Sequence, residues 1–222
     1  MADSNEPGTD PVDEIKAIYC DIREDIQERI GEFRNIWETR DREKILLELL
    51  FCILTPQSKA RVCWGAVEDM SCRDLIFRGD YDQVLDAVGM VRFKYRKAGY
   101  IIEARDRFIE NGRITVVEKL EEFDTPFFAR DWLVENIKGY GYKEASHFLR
   151  NIGLGEDLAI LDRHILKNLA RAGIIDSVPS SITPRKYLEM EMEMKRFSKE
   201  LDIPLSHLDL VLWYREAGEI FK

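Results

Sequence analysis

The chain has 222 residues, of which 45% are hydrophobic and 34% are charged, and its formal net charge is −9. This length and apolar content are enough for one substantial core or two small ones, and the lack of any run of eighteen apolar residues predicts no membrane span and no membrane partner. Residues 1–11 are small and acidic, without the apolar segment of a signal peptide, so we expect a disordered arm on an intracellular protein of the cytoplasm or nucleoid.

Helical periodicity runs through almost the whole chain. Isoleucines recur every three or four residues over 12–30, residues 43–54 are apolar nearly all round, and Pro56 follows that apolar segment. Strand patterns are limited to short pieces such as Ile114 to Val117. The sequence therefore predicts an all-α fold. Further helices are predicted at 57–70, 81–88, 92–112, 126–136, 143–152, 163–172, 184–199 and 205–219.

The cysteines are too widely spaced for a metal or cluster site. Zinc and iron–sulfur centres take clustered ligands, commonly in C-x-x-C pairs. No such pair occurs among Cys20, Cys52, Cys63 and Cys72. We expect buried, reduced thiols and no iron–sulfur cluster.

The local charge of the chain differs from its net charge. Residues 1–30 hold nine acids and three bases, a net of −6, whereas residues 91–107 hold six bases and two acids, a net of +4. Because each charge acts over only about 8 Å at physiological salt, a basic patch can bind phosphate even on an acidic protein. A solvated helix face would show the same pattern.

Two glycines, Gly139 and Gly141, lie between two amphipathic stretches, which is typical of a helix-hairpin-helix. Glycines in this turn are expected to supply positive φ and close approach to another surface. The exposed amides of such a turn, at a helix N-terminus, suit a phosphate group. Together with Lys138, these amides predict binding to the phosphates of a DNA backbone.

Lys143 opens the second helix of the hairpin, where a lysine could be a nucleophile. The helix dipole, Lys138 and an apolar setting would each disfavour its ammonium form, and a shift of ~3 pKa units corresponds to roughly 4 kcal/mol. A neutral amine can form a Schiff base with an electrophilic carbon. A solvated or phosphate-pairing lysine fits the same position, so both interpretations stay open.

Asp162 follows an apolar run and precedes a predicted helix. As a helix N-cap it would contribute ~1 kcal/mol to stability. As a carboxylate at a cleft it could stabilise a developing oxocarbenium cation or assist deprotonation. The two roles are compatible, because a capping aspartate is rigidly placed. The histidines have unrelated spacings that argue against a metal site; they are His147, His164 and His207.

The motifs around these residues resemble one known superfamily. KGYGYKEASHFLRNIG (138–153) and AILDRHIL (159–166) are similar to the helix-hairpin-helix DNA glycosylase/lyases. Over most of residues 43–222 the chain resembles the archaeal-type, or type-2, 8-oxoguanine DNA glycosylases. That narrower resemblance depends on ILTPQSKA (53–60), VRFKYRKAGYI (91–101) and LDLVLWYREAGEIFK (208–222).

The resemblance implies two helical domains with a lesion-binding cleft between them. The expected division is 41–161 against 12–40 plus 162–222. It also implies a monomeric base-excision-repair enzyme whose partner is double-stranded DNA containing 8-oxoguanine. Lys143 matches the Schiff-base nucleophile and Asp162 the superfamily's carboxylate, so base excision is expected to be followed by β-elimination.

The resemblance also implies roles for four residues away from the hairpin. Gln57 matches the residue that enters the gap left by the extruded base, and Phe93 and Trp213 are candidates for sandwiching that base. Lys222 matches a lysine that closes the base pocket, where a main-chain or carboxylate oxygen accepts the N7 hydrogen that guanine lacks. Without the resemblance, these residues fit a polar helix start, core packing and a frayed chain end.

For the hairpin, the superfamily implies one cation and no other cofactor. The carbonyls of Glu135, Ile137 and Tyr140 match those that hold K⁺ or Na⁺ against a phosphate. From the residues alone, three other functions stay open. These are a non-catalytic DNA-binding module, a monofunctional glycosylase that activates water through Asp162, and a helical interaction protein.

Overall fold

The computed structural model describes residues 10–222. Residues 1–9 of the predicted arm lie outside the described residues, and Pro11 already begins the first helix. Helices dominate the described residues, which confirms the all-α prediction. They are α1 Pro11–Glu38, α2 Arg42–Leu54, α3 Ala60–Cys72, α4 Leu75–Arg78, α5 Tyr81–Ala87, α6 Lys94–Phe108, α7 Val116–Glu121, α8 Pro126–Asn136, α9 Tyr142–Asn151, α10 Arg163–Arg171, α11 Pro184–Leu201 and α12 Leu205–Ala217.

A small β-hairpin interrupts the helix predicted at 92–112. The strands β1 (Ile109–Glu110) and β2 (Arg113–Ile114) pair antiparallel, with Ile109 opposite Ile114. Asn111 and Gly112 form the turn with φ of 51° and 77°, the positive values of a two-residue Asn-Gly hairpin loop. The Asn-Gly dipeptide is the sequence feature that could have predicted the end of α6.

Three other boundaries differ from the sequence prediction. The isoleucine stripe of α1 continues through the buried Phe33, so that helix runs to Glu38 rather than residue 30. The helix predicted from residue 57 begins at Ala60. Val116 and Val117, read as part of a short strand, lie in α7, and both are buried. At four and six residues, α4 and α7 are too short to show a helical period.

The chain divides into two compact units. We call residues 10–30 with 161–221 the terminal unit, and residues 31–160 with Lys222 the hairpin unit. The resemblance predicts domain boundaries between residues 40 and 41 and between residues 161 and 162. The compact units instead divide between residues 30 and 31 and between residues 160 and 161. Lys143 belongs to the hairpin unit, and Asp162 belongs to the terminal unit.

The hairpin unit is built around α2. This helix contacts α3, α6, α7 and α9, and every residue from Glu48 to Leu54 is buried. Each apolar side chain buried in this way stabilises the fold by about 1.5–3 kcal/mol. Asp41 caps the helix by accepting from the Lys44 amide at 3.1 Å. The burial of α2 therefore fixes the position of Thr55, the residue that follows the helix.

The terminal unit joins residues 11–30 of α1 with α10, α11 and α12. An ion pair fixes two of these helices, because Arg215 of α12 donates from Nε to Glu14 of α1 at 3.1 Å and also pairs through Nη2. Its Nη1 donates to Asn168 of α10 at 2.8 Å. With the Arg215 side chain only 5% exposed, such a bidentate pair adds geometric specificity as well as energy.

Two of the four cysteines depart from the expected burial. Cys52 and Cys63 are buried, whereas Cys20 and Cys72 are exposed, and all four are free thiols. Burial raises the pKa of the Cys52 thiol well above its usual range, so that thiol is a packing group. Among residues 10–222, no helix combines the length and the apolar character needed to cross a bilayer.

Candidate active site

The predicted helix-hairpin-helix is confirmed in α8 and α9. Two buried side chains anchor the turn between them to the core. They are Ile137 and Tyr140, which are 4% and 8% exposed. The Tyr140 hydroxyl donates to the main-chain oxygen of Leu49 in α2 at 2.9 Å. These two side chains fix the turn on α2 and leave Lys138 and Gly139 exposed at its tip.

The two hairpin glycines have different reasons to be glycine. Gly139 has φ +90°, and a Cβ there would lie 2.8 Å from Cδ2 of Tyr100. Gly141 has φ −115°, so the prediction of positive φ was wrong for this residue. It is the N-cap of α9, and its amide donates to the Glu144 carboxylate at 3.1 Å.

Gly139→Ala is expected to destabilise the protein by about 1–2 kcal/mol, the cost of a Cβ in the left-handed region. The collision with the Tyr100 ring adds to this cost. Gly141→Ala is the matched control, since its Cβ would meet only the Glu144 carboxylate tip at 3.3 Å. Urea unfolding of both variants measures the difference. Equal losses of stability would contradict the role given to the φ of Gly139.

Lys143 lies in the first turn of α9, as predicted. Its side chain is 21% exposed, and its Nζ is 3.8 Å from the Glu144 carboxylate and 3.3 Å from the Thr55 hydroxyl. Thr55 donates its own hydrogen to the Cys52 carbonyl at 3.0 Å, so its oxygen is left to accept from Lys143. The amine is therefore held in place on a mostly buried surface.

The hairpin unit also contains a buried polar cluster formed by Glu48, Asn151 and Lys222. Glu48 is 3% exposed and forms an ion pair with Lys222, whose side chain is 10% exposed. Asn151 donates to the other Glu48 oxygen at 2.8 Å, and the Lys222 ammonium lies 3.4 Å from the centroid of the Trp64 ring. A buried charge is costly unless it is paired and hydrogen-bonded. Lys222 is thus anchored, and the alternative of a frayed chain end was wrong.

His147 lies in the same buried region of α9. Its ring packs edge-on against Phe51, with centroids 5.6 Å apart. Burial, reinforced by the positive charge of Lys143, lowers the pKa of His147 well below its usual range. The imidazole is therefore neutral at physiological pH and is a packing group.

In the terminal unit, Asp162 is the N-cap of α10. Its carboxylate accepts from the amides of His164 and Ile165, both at 2.8 Å. This confirms the capping prediction and leaves Asp162 half-buried with a fixed orientation. A carboxylate held by main-chain amides is also suited to meeting positive charge that develops nearby.

Trp213 and His164 form a second feature of the terminal unit. Their rings meet edge to face with centroids 5.3 Å apart, and His164 Nδ1 is 3.3 Å from the Glu216 carboxylate. Trp213 is half-buried, and its indole Nε1 has no hydrogen-bond partner within residues 10–222. These contacts orient the Trp213 ring.

Gln57 and Phe93 share an unusual backbone conformation. Their φ values are 56° and 60°, in the left-handed region that few non-glycine residues adopt, and both side chains are exposed. A helix start at Gln57 was therefore wrong, and so was core packing for Phe93, which is 51% exposed. Strained residues of this kind cluster at functional sites.

The basic segment 91–107 does not form one solvated face. Arg92, Arg96 and Arg107 are exposed, but Lys97 is 4% exposed. Its Nζ donates to two main-chain oxygens and to a serine hydroxyl. Outside this segment, Lys138 of the hairpin is exposed and pairs with Glu103 at 2.8 Å.

Several residues of the site were not predicted from local sequence patterns. Glu48 is the only charged residue in the apolar run 45–54, and a lone charge on a buried helix is the signal that could have found it. Asn151, Thr55 and Trp64 carry no such signal. Within residues 10–222, no group of His, Cys, Asp and Glu side chains is arranged to hold a metal.

Comparisons with known proteins converge on one family. A family model described as 8-oxoguanine DNA glycosylase matches residues 26–203. An 8-oxoguanine DNA glycosylase/AP lyase of Fusobacterium nucleatum is 46% identical over 209 residues, covering 94% of this chain and 96% of the relative. Its counterpart in Methanocaldococcus jannaschii is 38% identical over 212 residues, covering 95% and 97%.

A solved structure agrees with these relatives. It is the Methanocaldococcus jannaschii 8-oxoguanine glycosylase/lyase in complex with a 15mer DNA containing 8-oxoguanine. It superposes on this chain with a TM-score of 0.85 at 34% identity, covering 95% of this chain and 99% of that one.

Proposed function

This chain belongs to the 8-oxoguanine DNA glycosylase family, and we infer that it is a bifunctional DNA glycosylase/AP lyase that excises 8-oxoguanine from double-stranded DNA. The supporting structural observation is Lys143 in the first turn of α9, with its Nζ 3.3 Å from the Thr55 hydroxyl. An amine held there, at a helix N-terminus and against a hydroxyl that accepts from it, has the position expected of a nucleophile.

The reaction begins with attack of the neutral Lys143 amine on the anomeric sugar carbon. The bond to the oxidised base breaks with its electron pair leaving on the base, and the Asp162 carboxylate stabilises the positive charge of the sugar. Cleavage of the C1′–O4′ bond opens the ring, an amine proton passes to O4′, and an imine forms between Lys143 and C1′ of the sugar. Loss of a C2′ proton then expels the 3′ phosphate by β-elimination, which nicks the strand.

Incubation of the protein with an 8-oxoguanine duplex, with and without borohydride, tests this function. We expect base release, a nick at the lesion, and a covalent protein–DNA adduct when borohydride is present. Base release with neither nick nor adduct would indicate a monofunctional glycosylase that activates water through Asp162. Binding without base release would indicate a non-catalytic module, and lack of salt-dependent DNA binding would indicate an interaction protein.

Base capture is assigned to Phe93, Trp213 and Gln57. Phe93 and Trp213 stack on the extruded base, and each stacking contact contributes about 1–3 kcal/mol. This is comparable to the few kcal/mol spent on unstacking the base. Gln57 enters the gap, which suits an exposed side chain on a loop whose backbone is held in the left-handed region at φ 56°.

Discrimination against guanine is assigned to Lys222. Its main-chain oxygen accepts the N7 hydrogen of 8-oxoguanine, whereas guanine N7 is itself an acceptor and is repelled. The buried ion pair with Glu48 and the contact with the Trp64 ring hold that oxygen in place. A firmly anchored acceptor discriminates better than one on a flexible tail.

Deletion of Lys222 is expected to lower the 8-oxoguanine-to-guanine excision ratio by about 5- to 150-fold, the equivalent of about 1–3 kcal/mol for one unmatched polar contact. DNA affinity should change much less, since the phosphate contacts are elsewhere. Single-turnover excision and filter binding measure the two effects. Nicking of a preformed abasic site is the control, because it needs no base recognition. Equal kinetics of wild type and truncation on 8-oxoguanine duplexes would overturn the assignment.

The hairpin also suits a monovalent cation. The candidate carbonyls belong to Glu135, Ile137 and Tyr140, and the Ile137 carbonyl accepts only the Tyr140 amide at 3.1 Å among the main-chain bonds of the turn, which leaves a lone pair for K⁺ or Na⁺. Bound there, the ion would add positive charge toward a DNA phosphate, alongside Lys138 and the amides of Gly139 and Gly141. No other cofactor enters the proposal.

One copy of the chain is enough for the proposed reaction. The enzyme acts as a monomer, because one chain carries both Lys143 and Asp162. It acts where chromosomal DNA lies, in the cytoplasm or nucleoid. Sedimentation of the protein with a lesion duplex checks the monomeric state, with a 1:1 complex as the expected species.

A further inference from the structure

Lys97 is a buried cation whose ammonium group makes three hydrogen bonds. Its Nζ donates to the carbonyls of Leu54 and Pro56, both at 2.7 Å, and to the Ser58 hydroxyl at 3.1 Å. These three acceptors are neutral. Burial accordingly lowers the pKa of Lys97 from its ordinary value. A cation kept in such a setting needs a structural reason.

The acceptors lie on both sides of Gln57. Leu54 is the last residue of α2, where helix carbonyls lack partners within the helix and a positive charge is favourable. Pro56 and Ser58 are the chain neighbours of Gln57. Lys97 therefore holds the loop immediately before and after the residue with φ 56°. A strained conformation persists only where its surroundings fix it in this way.

The same hydrogen bonds continue to Phe93. The Ser58 hydroxyl, which accepts from Lys97, also accepts from the Arg92 amide at 3.1 Å. The Lys97 amide donates to the Phe93 carbonyl at 3.1 Å in the first turn of α6. The Lys97 side chain is thus linked to both exposed left-handed residues through their chain neighbours, to Gln57 through Pro56 and Ser58 and to Phe93 through Ser58 and Arg92. The bond from the Lys97 amide to Phe93 does not depend on that side chain.

We propose that Lys97 is a positioning residue that fixes Gln57 and Phe93 relative to each other as a single DNA-engaging element. The inference rests on the proposed function, in which Gln57 enters the duplex and Phe93 stacks on the extruded base. Lys97 touches neither DNA nor the reacting atoms. It acts by keeping the gap-filling residue and the stacking residue in register, so that both meet one extruded nucleotide.

The test is a double-mutant cycle on single-turnover excision from an 8-oxoguanine duplex. Lys97→Met keeps most of the side-chain volume and removes the donors, and it is expected to slow excision by up to about 100-fold, as a small misplacement can. Adding Gln57→Ala to Lys97→Met should cause little further loss. Residues that act through one network are non-additive in this way, whereas independent sites add.

Asp162→Asn provides the matched control, because Asp162 caps α10 in the terminal unit and is assigned to the charge of the sugar rather than to the position of the base. Its effect should multiply with that of Lys97→Met. Multiplicative effects of Lys97→Met and Gln57→Ala would overturn the proposal, as would a Gln57→Ala variant that excises like wild type. Lys97→Gln, which can still donate to two carbonyls, should recover part of the rate. No recovery would also count against positioning.

A second variant covers the case in which Lys97→Met does not fold. Ser58→Ala removes only the hydroxyl that links Lys97 to the Arg92 amide. It should slow excision and be non-additive with Phe93→Ala, while additivity would overturn the proposal. Failure of the proposed function is distinguished from failure of this inference, because wild type would then release no base, or would release it with neither a nick nor a trapped adduct.

Discussion

Replacing Lys143 with glutamine is expected to abolish the borohydride-trapped adduct and to slow 8-oxoguanine excision by a factor on the order of 10³ to 10⁶, the range seen when an enzyme loses its nucleophile. An amide nitrogen cannot attack the anomeric carbon or form an imine. Glutamine can still donate to the Thr55 hydroxyl, the polar contact that Nζ makes at 3.3 Å. The fold should therefore survive, and thermal unfolding checks that it does.

Lys138→Gln is the matched control for this experiment. Lys138 lies in the same hairpin, is exposed, and pairs with Glu103 at 2.8 Å. Its loss should weaken DNA binding without preventing adduct formation. Undiminished trapping in Lys143→Gln would refute the assignment of the nucleophile, and loss of trapping in Lys138→Gln at saturating DNA would refute its distinction from Lys143.

Two substitutions of Asp162 are expected to separate its catalytic role from its capping role. Asparagine and aspartate cap helices about equally well, whereas alanine at an N-cap costs about 0.5–2 kcal/mol. Asp162→Asn should thus retain stability, since its amide oxygen can still accept from the amides of His164 and Ile165. Excision should nevertheless fall by about 10²- to 10³-fold, because the negative charge facing the sugar cation is lost.

Asp162→Ala should lose both stability and activity. Urea unfolding and single-turnover excision, measured on the same preparations, give the two quantities independently. If Asp162→Asn excises the base at the wild-type rate, the carboxylate is a helix cap alone. If both variants are equally destabilised, the two hydrogen bonds at 2.8 Å are not what stabilises α10.

Much of this fold could be predicted from local patterns. The apolar run of 43–54 indicated a buried helix because a charged or polar face is missing from it. The two glycines of the hairpin and the position of Asp162 after an apolar run indicated a turn and a helix cap, both of which need only a few neighbouring residues. These features depend on interactions within one helix or across one turn.

The rest of the site depends on contacts that no local pattern records. The hydrogen bond of Lys97 with Leu54 joins residues 43 positions apart, and the ion pair of Lys222 with Glu48 joins residues 174 positions apart. Lys97 therefore looked like one more base on a solvated face. The left-handed backbone of Gln57 was equally invisible, because tertiary bonds rather than residue type impose it.

The burial of α2 has a consequence for how the chain folds while it is being synthesised. Glu48 and the apolar residues around it are covered in part by α9, and the hydrogen bond from Asn151 to Glu48 spans 103 positions. At about 5–20 residues per second, a ribosome needs roughly 5–20 s to make that intervening segment. During this interval the most apolar helix of the protein lacks its final cover. Slow translation between α2 and α9 should therefore favour aggregation of the nascent chain, and chaperones that bind exposed apolar helices should suppress it.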